Sequence, residues 1–243
     1  MIGIGDLRQW LRTLGDAARA RLPADLLGGD AEPDDRRLDG YLLRAAVLGA
    51  AARWARERML PDIETGYRAR GDDTLADLTR EAIAVREAAA DLPVAGLGAL
   101  LDMALTLGAL ALAVALMMRL SGVRPVRWRP VAAGALSVYL VFALWGLVLA
   151  WLALKFGVYR LPTPEAAGLA ALAGRLAVAL LAIVGVVMPA LAMGRVARVV
   201  APRLRRPLVA GALAWGAVFV GSAAFTASGA EQWLVRFFVV PAP

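Results

Sequence analysis

The chain has 243 residues, of which 60% are apolar and 19% charged, against roughly 45–50% and about 25% in an average soluble protein; its mean hydropathy is +0.64. The charge is uneven: residues 1–92 hold 14 Arg against 17 acidic residues, whereas residues 93–243 hold 13 basic residues against only Asp102, Glu165 and Glu231. This excludes a soluble two-domain protein and a disordered chain, and predicts an all-α, polytopic membrane protein.

The missing residue types exclude chemistry as well. The chain contains no Cys and no His. Zinc, haem, copper and iron–sulfur sites draw mainly on those ligands, and imidazole-based nucleophilic catalysis needs a His. No cofactor and no enzymatic activity are therefore expected. Disulfides are impossible. Lys155 is the single Lys among 26 Arg, and at a membrane boundary it reads as a snorkelling anchor rather than a Schiff-base amine. The arginines fall in short loops between apolar runs, which membrane topology explains without nucleic acid.

Residues 1–22 predict an amphipathic helix, with Ile4, Leu7, Leu11, Leu14 and Ala18 on one face and Asp6, Arg8, Arg12, Asp16 and Arg19 opposite. Such a helix lies in a membrane interface or docks on protein. Charges interrupt the apolar run too early for a cleaved signal peptide. Residues 23–40 read as an acidic linker. Asp30, Glu32 and Asp34 match the opening of a calcium loop, but Asp35 stands where Gly is needed and Tyr41 where a bidentate Glu is needed. From Asp39 to about Leu60 a second helix carries Leu43, Val47, Ala50, Ala51 and Trp54 on one face and is stopped by Pro61. Arg44, Arg53 and Arg56 make it a packing helix rather than a membrane span. A third helix, capped by Asp72 or Asp73, carries Leu75, Leu78, Ala82, Val85 and Ala89. Residues 1–92 thus form a small helical N-terminal region.

Residues 93–230 predict a four-helix transmembrane domain with spans at Val94–Met118, Val131–Leu154, Ala166–Met193 and Leu208–Ser228, each reaching the roughly 20 residues a bilayer requires. The first and third inter-span loops are arginine-rich and the second is not. The positive-inside rule then puts loops one and three in the cytoplasm and both termini outside. A bacterial cytoplasmic (inner) membrane is the expected location.

Within the spans, Asp102 and Arg175 sit at similar predicted depth and are ion-pair candidates; the other reading is that each reaches interfacial water alone. Pro189 follows Gly185 by four residues, which predicts a helix kink. Ala212 and Gly216, and Ala217 and Gly221, have small-xxx-small spacing. Trp128, Trp151, Tyr159 and Trp233 fall at predicted boundaries as interface anchors. The apolar tail, 231–243, is expected along the interface or against another subunit. No phosphate loop or other catalytic motif is present. Two functions remain open: an accessory, scaffold or assembly subunit bound to the bilayer and to other membrane subunits, or a transporter or channel component using Asp102, Arg175 and the Gly185–Pro189 kink.

Overall fold

The structure is a computed structural model that describes residues 4–21, 35–69, 76, 77, 80, 97–123, 126–155 and 169–228. Among these residues there is no strand. Seven helices are assigned: α1 (Ile4–Ala18), α2 (Asp35–Glu57), α3 (Leu60–Arg68), α4 (Leu97–Leu120), α5 (Trp128–Lys155), α6 (Leu169–Val200) and α7 (Pro207–Ala227). Three contain stretches long and apolar enough to cross a membrane, at Met103–Leu120, Trp128–Leu152 and Ile183–Val200, while Pro207–Ser222 is a shorter apolar stretch. The third predicted N-terminal helix falls largely outside the described residues, as do residues 22–34 and the tail; residues 35–40 of the predicted linker are helical and form the start of α2.

Helices α4 to α7 form a bundle in which α5 packs on α4 and α6, and α7 packs on α6 and, less extensively, on α4. Its buried core includes Leu110, Val114, Val138, Leu140, Met193, Val196 and Trp215. Glycines set the closest approaches. A Cβ on Gly134 would stand 2.9 Å from Val196 and 3.4 Å from Val114. One on Gly211 would stand 2.5 Å from the Cα of Gly194, so α6 and α7 meet backbone to backbone. The two arginine-rich loops share one end of the bundle, where the backbone N–H of Arg203 donates to Ser121 Oγ at 3.2 Å. Arg119, Arg127, Arg198, Arg205 and Arg206 are exposed there.

The N-terminal helices clasp α5. Helix α2 runs along it in the same direction: Leu38 clusters with Ala133, Tyr41 bonds Ser137, Gly49 meets Tyr139 and Leu140, and Arg56 meets Gly146. Pro61 does not merely end α2. It occupies the first turn of α3, where its missing N–H costs nothing, and Ile63 of α3 then packs on Ala150 near the far end of α5.

The face that α2 buries is not the apolar stripe of its sequence, and α1 leaves much of its apolar face exposed. On α2 the apolar stripe Leu43, Val47, Ala50, Ala51 and Trp54 is exposed, with Leu43 at 63% and Trp54 at 60%; Tyr41, Ala45, Gly49 and Ala52 are buried instead. On α1, Leu7, Leu11 and Ala18 are exposed, while Thr13, Ala17 and Ala20 are buried. Periodicity locates an apolar face without saying what medium it meets. Small side chains let α2 approach α5 closely: a Cβ on Gly49 would stand 2.9 Å from the Tyr139 ring.

Candidate functional site

Two features of the bundle could carry function: a polar seam between α1, α2 and α5, and an apolar cleft between α4 and α7. In the seam, Ser137 Oγ donates to the Ala133 carbonyl at 2.6 Å. This i−4 bond uses the single hydroxyl proton of the serine. The 2.7 Å contact between Tyr41 and Ser137 is therefore a donation from the Tyr41 hydroxyl to Ser137 Oγ.

One turn on, Arg44 donates from Nη1 to Gln9 Oε1 at 2.9 Å and from Nε to Thr13 Oγ1 at 3.3 Å, tying α2 to α1. Thr13 in turn donates to the Gln9 carbonyl. Farther along, Arg53 and Glu57 pair at 2.7 Å. Arg56 lies against Gly146, with its Nε buried and without a hydrogen-bond partner. Among the described residues, Tyr139 Oη likewise is buried and has no hydrogen-bond partner.

Helix α1 ends with Ala20 at φ +49°. The Arg21 N–H returns to the Asp16 carbonyl and the Ala20 N–H to Ala17. This left-handed ending is usually made by glycine. Here it turns two carbonyls toward α6, where Arg195 Nη1 donates to Arg19 O at 2.9 Å and Ala20 O at 2.5 Å. The residues at the end of α1 therefore lie at the arginine-rich end of the bundle.

The cleft has a volume of about 590 Å³ and is lined by Leu105, Leu112, Leu116, Ala214, Val218 and Phe225 among others, with Thr106 and Ser222 the polar contributors. Its character is that of a surface for apolar groups rather than a reaction chamber. Among the described residues, no three His, Cys, Asp or Glu side chains gather where a metal could bind.

The side chains of Asp102 and Arg175 lie outside the described residues. Their backbone positions are staggered: from the level where Val114 and Val196 both reach Gly134, Asp102 is 12 residues back along α4 and Arg175 is 21 back along α6. The difference of nine residues is about 13 Å of helix. Helix α6 is continuous through the buried Pro189, and Gly185 admits Leu149 of α5 rather than standing free beside the proline. Trp128 and Trp151 are 66% and 49% exposed near the two ends of α5, about 34 Å apart along its axis. Tyr159 and Trp233 lie outside the described residues. Gly216 and Gly221 of the small-xxx-small pairs meet nothing within 4 Å. The seam residues Gln9, Tyr41 and Ser137 were missed by sequence reasoning. Their spacing carries no motif, and only the pairing of α2 with α5 brings them together. Comparison of the chain with protein-family models, with curated proteins and with solved structures finds no match in any of the three.

Proposed function

We propose that this chain is a non-enzymatic integral membrane subunit, an accessory, scaffold or assembly component of a larger membrane complex, with α4 to α7 as its four spans. The observation that carries this reading is the division of labour among its side chains. The seam's Tyr41 and Ser137, with Arg44 and Arg195, hold one helix to another, while the cleft between α4 and α7 presents Leu, Ala, Val and Phe to whatever enters it. Apolar grooves rimmed by helices suit association within the bilayer, where close packing rather than water expulsion drives contact. The tail, with Trp233, Leu234, Phe237 and Phe238, is assigned to contacts with other subunits.

By the positive-inside rule, the end bearing Arg119, Arg127, Arg198 and Arg203 faces the cytoplasm of a bacterial inner membrane, and the C-terminus lies outside. The grip of Arg195 on Arg19 and Ala20 supports a cytoplasmic end of α1, in place of the extracytoplasmic N-terminus that the loop charges alone suggest. Reconstitution separates this reading from the transporter one. The purified protein in liposomes should carry no solute or proton flux, and in mild detergent it should purify with a stoichiometric partner whose retention weakens when residues 231–243 are deleted. Flux from the wild type, abolished by Asp102→Asn, would replace the scaffold reading with the transporter one.

A further inference from the structure

We propose that α2 is a fifth membrane-embedded helix, and that its outward face, Leu43, Val47, Ala50, Ala51 and Trp54, lies against the acyl chains of the bilayer. Three observations converge on this. First, the helix is inside-out by the standards of a water-facing element. At about 100° per residue, the buried set Tyr41, Ala45, Gly49, Ala52 and the exposed set Leu43, Val47, Ala50, Ala51, Trp54 lie on opposite faces. Beyond Leu38 and Tyr41, the groups that face protein are the small ones, Ala45, Gly49 and Ala52, while Leu43, Val47 and Trp54 face out.

Second, the outward face is bounded like a slab. Its exposed charges are Arg37 and Asp39 at one end and Arg58 just beyond the other. From Asp39 to Arg58 is 19 residues, about 28 Å of helix, which is close to the roughly 30 Å of the hydrocarbon core. The charges between those limits are turned aside: Arg44 to Gln9 and Thr13 of α1, Arg53 to Glu57, and Arg56 to the surface of α5 at Gly146. A charge inside a bilayer costs several kcal/mol unless it is partnered or reaches water. A partner protein would require an apolar patch, but not one of bilayer thickness with charges at both limits.

Third, the chain needs such a crossing. Arg195 holds residues 19 and 20 at the arginine-rich end, while α4 enters the bundle from the opposite end, since its last residue, Leu120, leads into the arginine-rich loop. Helix α2, running from Leu38 at the level of Ala133 to Arg56 at the level of Gly146, is the described element that passes between those ends. With α2 counted, every successive helix of the bundle alternates in direction, and no charged segment preceding α2 has to be exported. The inference goes beyond the proposed function, although it rests on α4 to α7 being in the membrane, so the experiment carries a control for that.

Because the chain lacks Cys, single-cysteine variants take a label at one place. Spin labels at Leu43→Cys, Val47→Cys and Trp54→Cys, with Leu112→Cys on α4 as the control, are read in liposomes against oxygen, which concentrates in lipid, and a nickel chelate, which stays in water. The expected result is strong relaxation by oxygen and none by nickel at all four sites. In addition, Arg37→Cys and Arg58→Cys should react with an impermeant maleimide from opposite faces of the vesicle, Arg37→Cys from the face that also exposes Arg203→Cys. Nickel relaxation at Val47→Cys with a lipid signal at Leu112→Cys would overturn the proposal, leaving α2 on the membrane surface. Low accessibility to both reagents would overturn it in favour of a protein neighbour, and dipolar broadening between identical labels would identify that neighbour as a second copy. A water signal at Leu112→Cys itself would overturn the membrane reading as a whole.

Discussion

Helix α7 has two neighbours and treats them differently. Toward α6 it presents Gly211, and the two backbones touch at Gly194. Toward α4 it presents Ala210, Ala214, Ala217 and Gly221, yet there the helices stand apart over a cleft of about 590 Å³. Both sides are built of small residues, so smallness alone does not close a seam. A close seam needs small residues on both partners at one level, as with Gly194 and Gly211. In the cleft, Leu105, Leu112 and Leu116 of α4 face the small residues of α7 and hold the helices apart. The smooth side of α7 is thereby left for another occupant.

The largest expected effect comes from forcing the closed seam open. Gly211→Leu would drive a side chain into the backbone of α6, and overpacking of a filled core costs about 1–3 kcal/mol, occasionally more. With backbone as the obstacle, a loss of about 3 kcal/mol is expected, read as a lowered Tm in detergent. Ala214→Leu, on the cleft side of the same helix, should leave Tm nearly unchanged; an equal loss would mean that the cleft is closed. Next comes the α2–α5 contact. Gly49→Leu meets the Tyr139 ring at a position where even a Cβ is 2.9 Å away. It should cost about 1–3 kcal/mol and expose α2 to limited proteolysis while α4 to α7 stay folded. Tyr41→Phe removes one buried donor but leaves Ser137 satisfied by Ala133, so a loss of about 1 kcal/mol is expected. The smallest effect concerns Asp102 and Arg175. Given their axial stagger, the double Ala variant should show losses additive within about 0.5 kcal/mol. A larger coupling would restore the ion pair.

The apolar helices were legible from their composition: the windows at Val94, Val131, Ala166 and Leu208 match α4 to α7 to within a few residues at most ends, α6 running on from Met193 to Val200, and three of the four hold stretches long and apolar enough to cross a membrane. The existence of α1 was legible too, from its 3.6-residue period, and α2 from the stripe Leu43, Val47, Ala50, Ala51 and Trp54, although over its whole length α2 is nearly as apolar on one side as on the other. The orientation of α2 was not. Leu43, Val47 and Trp54 form a convincing core face under the assumption that water lies outside, and the assumption, not the pattern, decided the assignment. The small-xxx-small spacing at Gly216 and Gly221 identifies a smooth face, whereas Gly211, which carries the contact, is recognisable only beside Gly194. The polar seam was illegible because Tyr41 and Ser137 are 96 residues apart and neither belongs to a recurring motif.

The bonds from Arg195 to Arg19 and Ala20 join positions 176 and 175 residues apart, and this separation imposes an order on biogenesis. Ribosomes add roughly 5–20 residues per second, so the end of α1 leaves the ribosome some 10–35 s before its clasp exists. During that interval, Arg44 is the partner already at hand for Gln9 and Thr13. Helix α1 is therefore paired early and latched late, and its final docking reports that α6 has arrived.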